Sequence, residues 1–419
     1  MKALIVTCHL PTDNKTDKHG WFKRLEIFID ALTDISEIHI LYYFNEGQDN
    51  LTLEKTAQIE INLSSRINKK VILSLCPYKM RGSLVKKVID LLFIFYDQKR
   101  FFSSKNSLET IALKEKLQTI KPDIIFFSRL PSIVPALGTE SEYKFPTIFF
   151  DIDDVTHTDY YKRLWSSKLR YLSNSWESVK SSPFFFFQVL HKQLLLSRAV
   201  AISDLTFVCS EIDRKYISEK FNDSQVKIVP NAVIIPAKKS SLPSNPNLLF
   251  LGNYDRSPNN VIGANFLIEE IWPLIYQQHP EARLIIAGKS PDNIRTYTDN
   301  IPGVEFTGFV TDINALYDQT RVVCCPILSG GGTRLKIIEA AAYGKPIVST
   351  TVGAEGLEMI DGREYMLRDQ PEDFAQACLE LFRNDFLCEE LGNQARAAAI
   401  KHYDRDCIIN LIQEYLQQL

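Results

Sequence analysis

The sequence lacks any run of about 20 uninterrupted apolar residues, so it offers no obvious membrane-spanning helix. It also lacks an excess of either charge, since 48 lysines and arginines stand against 51 aspartates and glutamates, a formal net charge of −3. This balance argues against a globally basic nucleic-acid-binding protein. There is no internal repeat of fixed period, and a hydrophobic content of 45% excludes wholesale disorder.

The eight cysteines form no CxxC pair and show no metal-ligand spacing with histidine. They therefore predict buried, reduced thiols in a cytoplasmic protein, and no structural zinc site. The initial segment MKALIVTCHLPT contains only a short apolar stretch. That stretch predicts a buried first strand rather than a signal peptide.

A chain of 419 residues exceeds what one hydrophobic core usually organises, which predicts two domains. Short β-branched or aromatic runs alternate with longer amphipathic segments, the pattern of βα units around parallel sheets. These predicted strands are Ala3–Thr7, Ile38–Tyr43, Lys70–Leu75, Ile124–Ser128, Thr147–Phe150, Leu205–Cys209 and Val226–Val229 in the first half, and Asn247–Leu251, Arg283–Ala287, Val304–Thr307, Val322–Pro326 and Pro346–Thr350 in the second.

The segment Ile234–Asn247 contains three prolines and three serines, and its composition predicts an interdomain linker. We therefore predict an N-terminal domain over residues 1–233, a linker over 234–247 and a C-terminal domain over 248–403. The apolar spacing of residues 404–419 predicts a terminal helix. Whether that helix packs back on the N-terminal domain is left open.

The most informative segment is Cys325–Gly356, CPILSGGGTRLKIIEAAAYGKPIVSTTVGAEG. Three glycines follow a predicted strand, and a helix is predicted from about Arg334 to Tyr343, with Thr333 as its N-cap. Successive glycines let a backbone approach an anion closely, and a helix N-terminus adds partial positive charge. Arg334 and Lys336 in the first turn oppose the helix dipole, a placement that a bound phosphate would compensate.

Glu339 lies five residues after Arg334, where its carboxylate could accept two hydrogen bonds from vicinal hydroxyls such as those of a ribose. Three alanines then allow close packing on a sheet, and Gly344 stands where a C-terminal cap belongs. We favour a diphosphate site with a sugar-hydroxyl acceptor over the alternative, a glycine-rich turn with surface charges.

The second half resembles nucleotide-sugar-dependent glycosyltransferases of the GT-B fold, in particular the retaining glycosyltransferase family four. The resemblance is carried by the triglycine segment and by Leu248–Gly252, Ala282–Gly288, Val304–Val310 with Asp312, and Gly353–Leu357, and in the first half only by Phe207–Ser210 with Asp213 and by Val229–Asn231. It implies an α/β protein with two facing Rossmann-like domains, each with a parallel sheet, and a cleft between them.

The resemblance also implies roles for single residues. Glu339 matches the second glutamate of the family's paired-glutamate motif and would bind the nucleotide ribose. Lys336, with Arg334, would neutralise the donor diphosphate. The amides of Gly330, Gly331, Gly332 and Thr333 would contact the donor sugar or its phosphate.

Further positions match less closely. Gly252 and Asn253 match the turn after the first C-terminal strand, and Arg256 is the candidate second phosphate-binding cation, three residues after the family's usual arginine. The family's first glutamate falls on Gly331. Its paired glycines near the first helix are reduced here to one, Gly20, which is kept as a donor-binding candidate. The resemblance implies no metal and no cofactor beyond the donor substrate.

An acidic cluster lies in Phe149–His157, FFDIDDVTH, at the end of a predicted strand. Polar residues at that end of a parallel strand are where α/β folds place ligands. Three interpretations stay open. Asp151, Asp153 and Asp154 could hold a metal, the least favoured of the three. Asp153, Asp154 or His157 could contact the acceptor hydroxyl or the donor sugar, or the cluster could be N-caps and surface carboxylates.

Two basic, apolar-rich stretches, Lys79–Arg100 and Lys162–Arg198, carry six and seven basic residues respectively. Such segments can lie on anionic lipid, which predicts peripheral attachment to the inner face of the membrane. Solvated helix faces over a domain core are the alternative.

We therefore predict a cytoplasmic, metal-independent, hexosyltransferase-like enzyme that moves sugar from a nucleoside-diphosphate sugar to a hydroxyl group with retention of configuration. The acceptor would be a saccharide, glycolipid or protein, in cell-surface polysaccharide or glycolipid synthesis, and no nucleic acid would be bound. Two alternatives stay open: a nucleotide-sugar epimerase of the same fold, and a noncatalytic nucleotide-sugar-binding protein.

Overall fold

A computed structural model of the chain describes residues 1–8, 20–33, 35–45, 53–78, 107–137, 139, 143–153, 155, 183–221, 225–255, 257–297 and 299–418. These residues divide into two compact units. The first contains the described residues up to Val229 together with those from Ile412 onward, and the second is Pro230–Leu411. None of the helices in the described ranges combines the length and the apolarity that crossing a bilayer requires.

The first unit is a parallel sheet of seven strands with helices between them. The strands are β1 (Lys2–Thr7), β2 (Glu37–Asn45), β3 (Lys70–Tyr78), β4 (Ile124–Ser128), β5 (Thr147–Asp153), β6 (Leu205–Val208) and β7 (Val226–Ile228). The helices are α1 (Gly20–Ala31), α2 (Leu53–Ile67), α3 (Leu108–Ile120), α4 (Leu130–Ile133), which continues as a short 3₁₀ turn, α5 (Pro183–Ala201) and α6 (Glu211–Phe221).

The strand order in this sheet is β3-β2-β1-β4-β5-β6-β7. In the central strand β1, residues Ala3–Val6 are all fully buried. Because helices cover both faces of a parallel sheet, such a strand is a continuous apolar run in the sequence and does not alternate apolar with polar residues.

The second unit is a parallel sheet of six strands in the order β10-β9-β8-β11-β12-β13. The strands are β8 (Asn247–Leu251), β9 (Arg283–Ala287), β10 (Val304–Gly308), β11 (Val322–Cys325), β12 (Ile347–Ser349) and β13 (Met366–Leu367). The helices are α7 (Pro258–Phe266), which runs through a π-helical turn into α8 (Trp272–Tyr276), α9 (Ile313–Asp318), α10 (Leu335–Ala342), α11 (Pro371–Arg383), α12 (Asp385–Tyr403) and α13 (Arg405–Gln417).

The predicted α/β class with two Rossmann-like halves is confirmed. All twelve predicted strands are present, most with ends shifted by one to three residues, and β13 was not predicted. A two-residue strand carries no periodicity for sequence reasoning to detect. The predicted cap at the end of α10 is also present: Gly344 has φ +71°, and its amide and that of Lys345 donate to Ala341 and Ala340 at 2.8 and 3.0 Å, a Schellman motif.

The segment Ile234–Pro246, here called the strap, lies within the second unit rather than between two units. Buried cations hold its carbonyl groups. Lys345 Nζ donates to the Ser241 carbonyl at 2.7 Å, and Arg321 Nη1 donates to the Pro243 carbonyl at 2.9 Å. The prolines and serines of the strap therefore mark a fixed extended segment, because its backbone groups are satisfied by the domain it crosses.

The C-terminal helix α13 runs from Arg405 to Gln417, and its residues from Ile412 onward belong to the first unit. There the Tyr415 hydroxyl donates to the Ile228 carbonyl at 3.4 Å. The Lys227 ammonium also lies 5.5 Å from the centre of the Tyr415 ring.

Candidate functional site

The strand order of the second unit defines where a ligand site is expected. Numbered along the chain within this unit, its strands lie in the order three-two-one-four-five-six. The chain leaves β8 towards β9 on one side and returns through β11 on the other. Open parallel sheets bind ligands at this switch point, outside the carboxyl ends of the strands. The residues after β8 and after β11 meet this condition, and they are the ones that the sequence motifs selected.

The triglycine turn after β11 packs closely on the start of α7. Gly330 has φ +104°, and a Cβ atom there would lie 2.5 Å from Asn259 Nδ2. Ser329 Oγ donates to Asn259 Oδ1 at 2.9 Å. Glycine suits both this positive φ and the short distance to Asn259. The turn therefore packs against α7, and its glycines carry no side chains that would cover its backbone amides.

Helix α10 begins one residue later than predicted. Arg334 is its N-cap, with extended backbone (φ −90°, ψ 102°) and no capping side-chain hydrogen bond. The prediction of Thr333 as N-cap was therefore wrong. The Thr333 hydroxyl is used elsewhere, because it accepts a hydrogen bond from Asn231 Nδ2 at 2.8 Å.

Lys336 of α10 is held at the switch point by contacts with residues of α7 and β8. Its ammonium donates to Asn260 Oδ1 at 2.8 Å and lies 4.2 Å from the centre of the Phe250 ring, which belongs to β8. Burial, helped by the nearby charge of Arg334, lowers the pKa of Lys336 to about 8. Charge on this lysine therefore costs more than it would in water, and a bound anion would offset that cost.

Arg334 is the second cation of the turn. Its Nη1 donates to the Gly331 carbonyl, whereas its Nε and Nη2 are buried and have no hydrogen-bond partner among the described residues. Within that part of the chain, neither Arg334 nor Lys336 forms an ion pair with a carboxylate. Buried donors left without acceptors are costly, so two uncompensated cations beside a glycine turn are typical of an anion site.

Glu339 lies one turn after Lys336 on α10 and is partly buried. Its carboxylate adds to the effect of burial in raising the pKa of Tyr317 and of Tyr343. These two rings stack with centroids 4.1 Å apart. The residue predicted to bind a ribose therefore projects from the same helix as the cations, beside an aromatic pair.

The turn after β8 completes the site. Gly288 approaches it so closely that a Cβ there would lie 1.6 Å from the Gly252 carbonyl oxygen. Asn260 Nδ2 donates to the Asn253 carbonyl at 3.0 Å, so Asn260 links this turn to Lys336. Arg256 lies outside the described residues, so its predicted role stays a prediction.

In the first unit, the acidic cluster is paired with two arginines. Arg24 of α1 donates to both carboxylate oxygens of Asp151 at 2.7–3.0 Å and to the Val229 carbonyl at 2.6 Å. Arg129 pairs with Asp153. Burial raises the pKa of Asp151, and the charge of Arg24 opposes that rise.

Both aspartates are buried, with 2% and 8% of their surface exposed. The interpretation of Asp151 and Asp153 as surface carboxylates was therefore wrong. Arg129 and Asp153 have φ values of +71° and +64°, which L-residues adopt rarely. Strain of this kind is common at functional sites. Asp154 and His157 lie outside the described residues, and Gly20 is placed only as the first residue of α1.

Sequence reasoning assigned no role to four residues that organise these sites: Asn231, which lies in a segment that carries the family resemblance, and Asn259, Asn260 and Arg24. The Asn-Asn pair after Ser-Pro at the start of α7 was an available signal, as was the lone arginine on the apolar face of GWFKRLEIFIDA. Neither signal has a distinctive spacing, so neither stood out before the packing was known.

Comparison with known proteins then fixes the architecture. The structure aligns over 100% of this chain with Anabaena HepE crystallised with UDP and glucose, covering 99% of that chain with a TM-score of 0.67 and 14% sequence identity. The protein has the fold of a GT-B glycosyltransferase. The predicted GT-B resemblance is therefore confirmed, and residues 245–384 match the family model "Glycosyl transferases group 1".

Two sequence relatives extend the comparison of this GT-B chain. An uncharacterized 44.6 kDa protein in the cps region of Klebsiella pneumoniae is 25% identical over 176 residues, which are 40% of this chain and 45% of that protein. The phosphatidyl-myo-inositol mannosyltransferase of Mycobacterium leprae is 27% identical over 225 residues, 51% of this chain and 57% of that protein. In these matches the chain spans about half the length of its curated relatives.

Proposed function

We propose that this protein transfers a sugar from a nucleoside-diphosphate sugar to an acceptor hydroxyl, with retention of configuration. One observation carries the proposal. Lys336 and Arg334 are two cations without carboxylate partners in the described part of the chain, at the switch point of a GT-B sheet and beside a glycine turn. A diphosphate is the ligand whose charge and oxygen acceptors match these groups.

In the proposed reaction the bond between the anomeric carbon and the diphosphate breaks, and negative charge builds on the leaving phosphate. Lys336 Nζ and the Arg334 guanidinium are already in place to offset this charge, so little reorganisation is needed as it develops. Two fixed side-chain cations supply the neutralisation that a metal supplies in other transferases, and we propose a metal-independent reaction on that basis. The acceptor attacks the face that the phosphate leaves, and its proton passes to the departing phosphate oxygen.

Glu339 would bind the ribose hydroxyls, since it lies one turn from Lys336 on the same helix. Because Gly331 has no side chain, the donor sugar would be held there by backbone amides. The relatives support a polysaccharide or glycolipid acceptor: one is located in a cps region, and another is named for transfer of mannose to phosphatidyl-myo-inositol. Attachment to an anionic membrane surface through Lys79–Arg100 or Lys162–Arg198 stays a proposal, as the first segment and residues 162–182 of the second lie outside the described residues.

The decisive experiment incubates the purified protein with UDP-, GDP- and dTDP-sugars, with and without a lipid extract. We expect nucleoside diphosphate to be released from one donor, with faster release in the presence of lipid and appearance of the sugar on a lipid or saccharide product. Conversion of the donor to its epimer without acceptor would instead identify an epimerase. Binding with neither transfer nor hydrolysis would identify a sensor and overturn the proposal.

Donor affinity is expected to fall as the pH rises above about 8, the pKa of Lys336 in the free protein. A bound diphosphate favours the charged lysine and raises its pKa, so binding takes up a proton wherever the free lysine has lost one. The dissociation constant should then rise towards about tenfold per pH unit, the limit for one proton.

Calorimetric titration of the preferred nucleoside diphosphate between pH 7 and 9.5 measures this dependence. Lys336→Arg is the matched control, because arginine keeps its charge throughout this range and should remove the dependence. Burial raises the pKa of the nearby Cys325 thiol above its ordinary value, so that thiol titrates at higher pH than Lys336. A wild-type affinity that is constant up to pH 9.5 would contradict the assigned role of Lys336.

A further inference from the structure

Asn231 makes a buried hydrogen bond to the triglycine turn. It lies at the beginning of the second unit and is 7% exposed, and Thr333 in the triglycine turn is 8% exposed. Asn231 Nδ2 donates to Thr333 Oγ1 at 2.8 Å. The two residues are 102 positions apart in the chain, so this bond fastens the turn to the first residues of the unit.

The chemistry of the two groups gives this bond a direction. An amide NH₂ group only donates, whereas a hydroxyl has one hydrogen to donate and lone pairs to accept with. Because the Thr333 oxygen accepts from Asn231, its own hydrogen cannot point back to that nitrogen. No described residue accepts it, so within that part of the chain the Thr333 O–H is available to donate to a bound ligand.

The surroundings of Thr333 define what that group is. The next residue along the chain is Arg334, whose buried Nε and Nη2 have no partner among the described residues, and Lys336 lies two residues further on. All three groups are donors of hydrogen bonds. Phosphate oxygens only accept, so three groups that each have a hydrogen to donate are complementary to a phosphate.

We propose that Asn231 is a positioning residue, which fixes the Thr333 hydroxyl as a hydrogen-bond donor to the diphosphate of the sugar donor. The inference rests on the proposed function and adds to it a residue that does not touch the substrate. The inference requires that residue 231 donates a hydrogen bond to Thr333, in addition to filling its space.

The test is Asn231→Asp, which keeps the shape of the side chain and reverses its polarity. A carboxylate accepts the Thr333 hydrogen, so the turn presents lone pairs to the phosphate. We expect UDP or GDP, whichever the wild type binds, to bind about tenfold to a hundredfold more weakly, the range for losing one hydrogen bond to a charged group. Asn231→Ala, which leaves the hydroxyl free to rotate, should weaken binding by much less.

The charge of the new aspartate also repels phosphate, and Thr333→Val separates that effect. In the Thr333→Val background there is no hydroxyl to reorient, so Asn231→Asp retains only its charge effect and should weaken binding distinctly less than in the wild type. Thr333→Ser, which keeps a hydroxyl, should recover most of the affinity that Thr333→Val loses. Thermal unfolding of each variant shows that it is folded, and the Thr333 pair tests the hydroxyl even if Asn231→Asp does not fold.

The outcomes separate the inference from the proposed function. If the wild type binds UDP or GDP but Asn231→Asp weakens binding equally in both backgrounds, or Thr333→Val binds as well as Thr333→Ser, the role of Asn231 is overturned while the proposed function stands. If the wild type binds no nucleoside diphosphate, the proposed function fails first.

Discussion

Replacing Lys336 with methionine is expected to lower the turnover of a nucleotide-sugar donor by about two to three orders of magnitude. This is the usual effect of removing one buried electrostatic donor from developing negative charge. The loss should fall on kcat as well as on KM, because the charge on the leaving phosphate is greatest in the transition state. Steady-state kinetics with the preferred donor measure both. A variant with wild-type kcat would exclude contact between Lys336 and the leaving group.

The same substitution is expected to stabilise the protein by about 1–2 kcal/mol, because a side chain placed for function is replaced by one suited to its surroundings. Burial has lowered the pKa of Lys336 from 10.5 to about 8. Between these values the unfolded chain binds a proton that the folded chain has lost, so the free energy of unfolding of the wild type rises with pH. Lys336→Met removes that rise, although Lys345, whose pKa is also lowered to about 8 by burial, contributes a second one.

Lys345→Met is the matched control for this prediction, since both lysines lie in the second unit and are shifted to the same degree. Lys345 Nζ satisfies two carbonyl groups, those of Ser241 and Thr320, at 2.7 and 2.8 Å. Its removal leaves these acceptors without their donor and should lower the melting temperature. Opposite shifts in the two variants would show that Lys336 is placed for a ligand and Lys345 for the fold. If Lys336→Met also melts earlier, Lys336 has a structural role.

Arg24→Met is expected to destabilise the first unit by about 3–5 kcal/mol, the range for removing one partner of a buried ion pair. Arg24 and Asp151 are both 2% exposed, and the substitution leaves the Asp151 carboxylate in the core without its charge partner. The Val229 carbonyl also loses its donor. Denaturant unfolding measures the change as a lower midpoint.

Two controls sharpen this result. Arg24→Met with Asp151→Leu removes both charges, and it should recover much of the loss. Arg214→Ala breaks the exposed pair of Arg214 with Glu211, and it should leave the midpoint almost unchanged. Because burial raises the pKa of Asp151, the single variant should also lose less stability at acid pH, where Asp151 is neutral. Equal midpoints for Arg24→Met and Arg214→Ala would contradict the buried pair.

The two sheets were predictable because their signal is local. Buried parallel strands are short, continuous apolar runs separated by amphipathic segments, and runs such as Ile124–Ser128 and Asn247–Leu251 coincide with β4 and β8. The candidate site residues of the second unit could be predicted for the same reason. The glycines, the cations and Glu339 lie in one strand–turn–helix unit, so their spacing is visible in the sequence.

The partners of those residues could not be selected, because they come from distant positions. Asn260 and Lys336 are 76 residues apart, and Arg24 and Asp151 are 127 apart. Which amide meets which ammonium depends on strand order, and an apolar run does not encode that order. Thr333 is a residue for which local sequence gave the wrong prediction. Its sequence context favoured capping α10, but a long-range contact with Asn231 took its hydroxyl instead.

The strap changes where this protein can be cut. A fragment starting at Leu248 would remove the acceptor that Ser241 provides to Lys345 and the one that Pro243 provides to Arg321. Each of these buried cations would then have lost one acceptor, leaving Lys345 with the Thr320 carbonyl and Arg321 with the Leu381 carbonyl and Asp385. Any exchange of the second unit between relatives should therefore join the chains before Pro230, so that the proline-rich segment is inherited with the sheet that it braces.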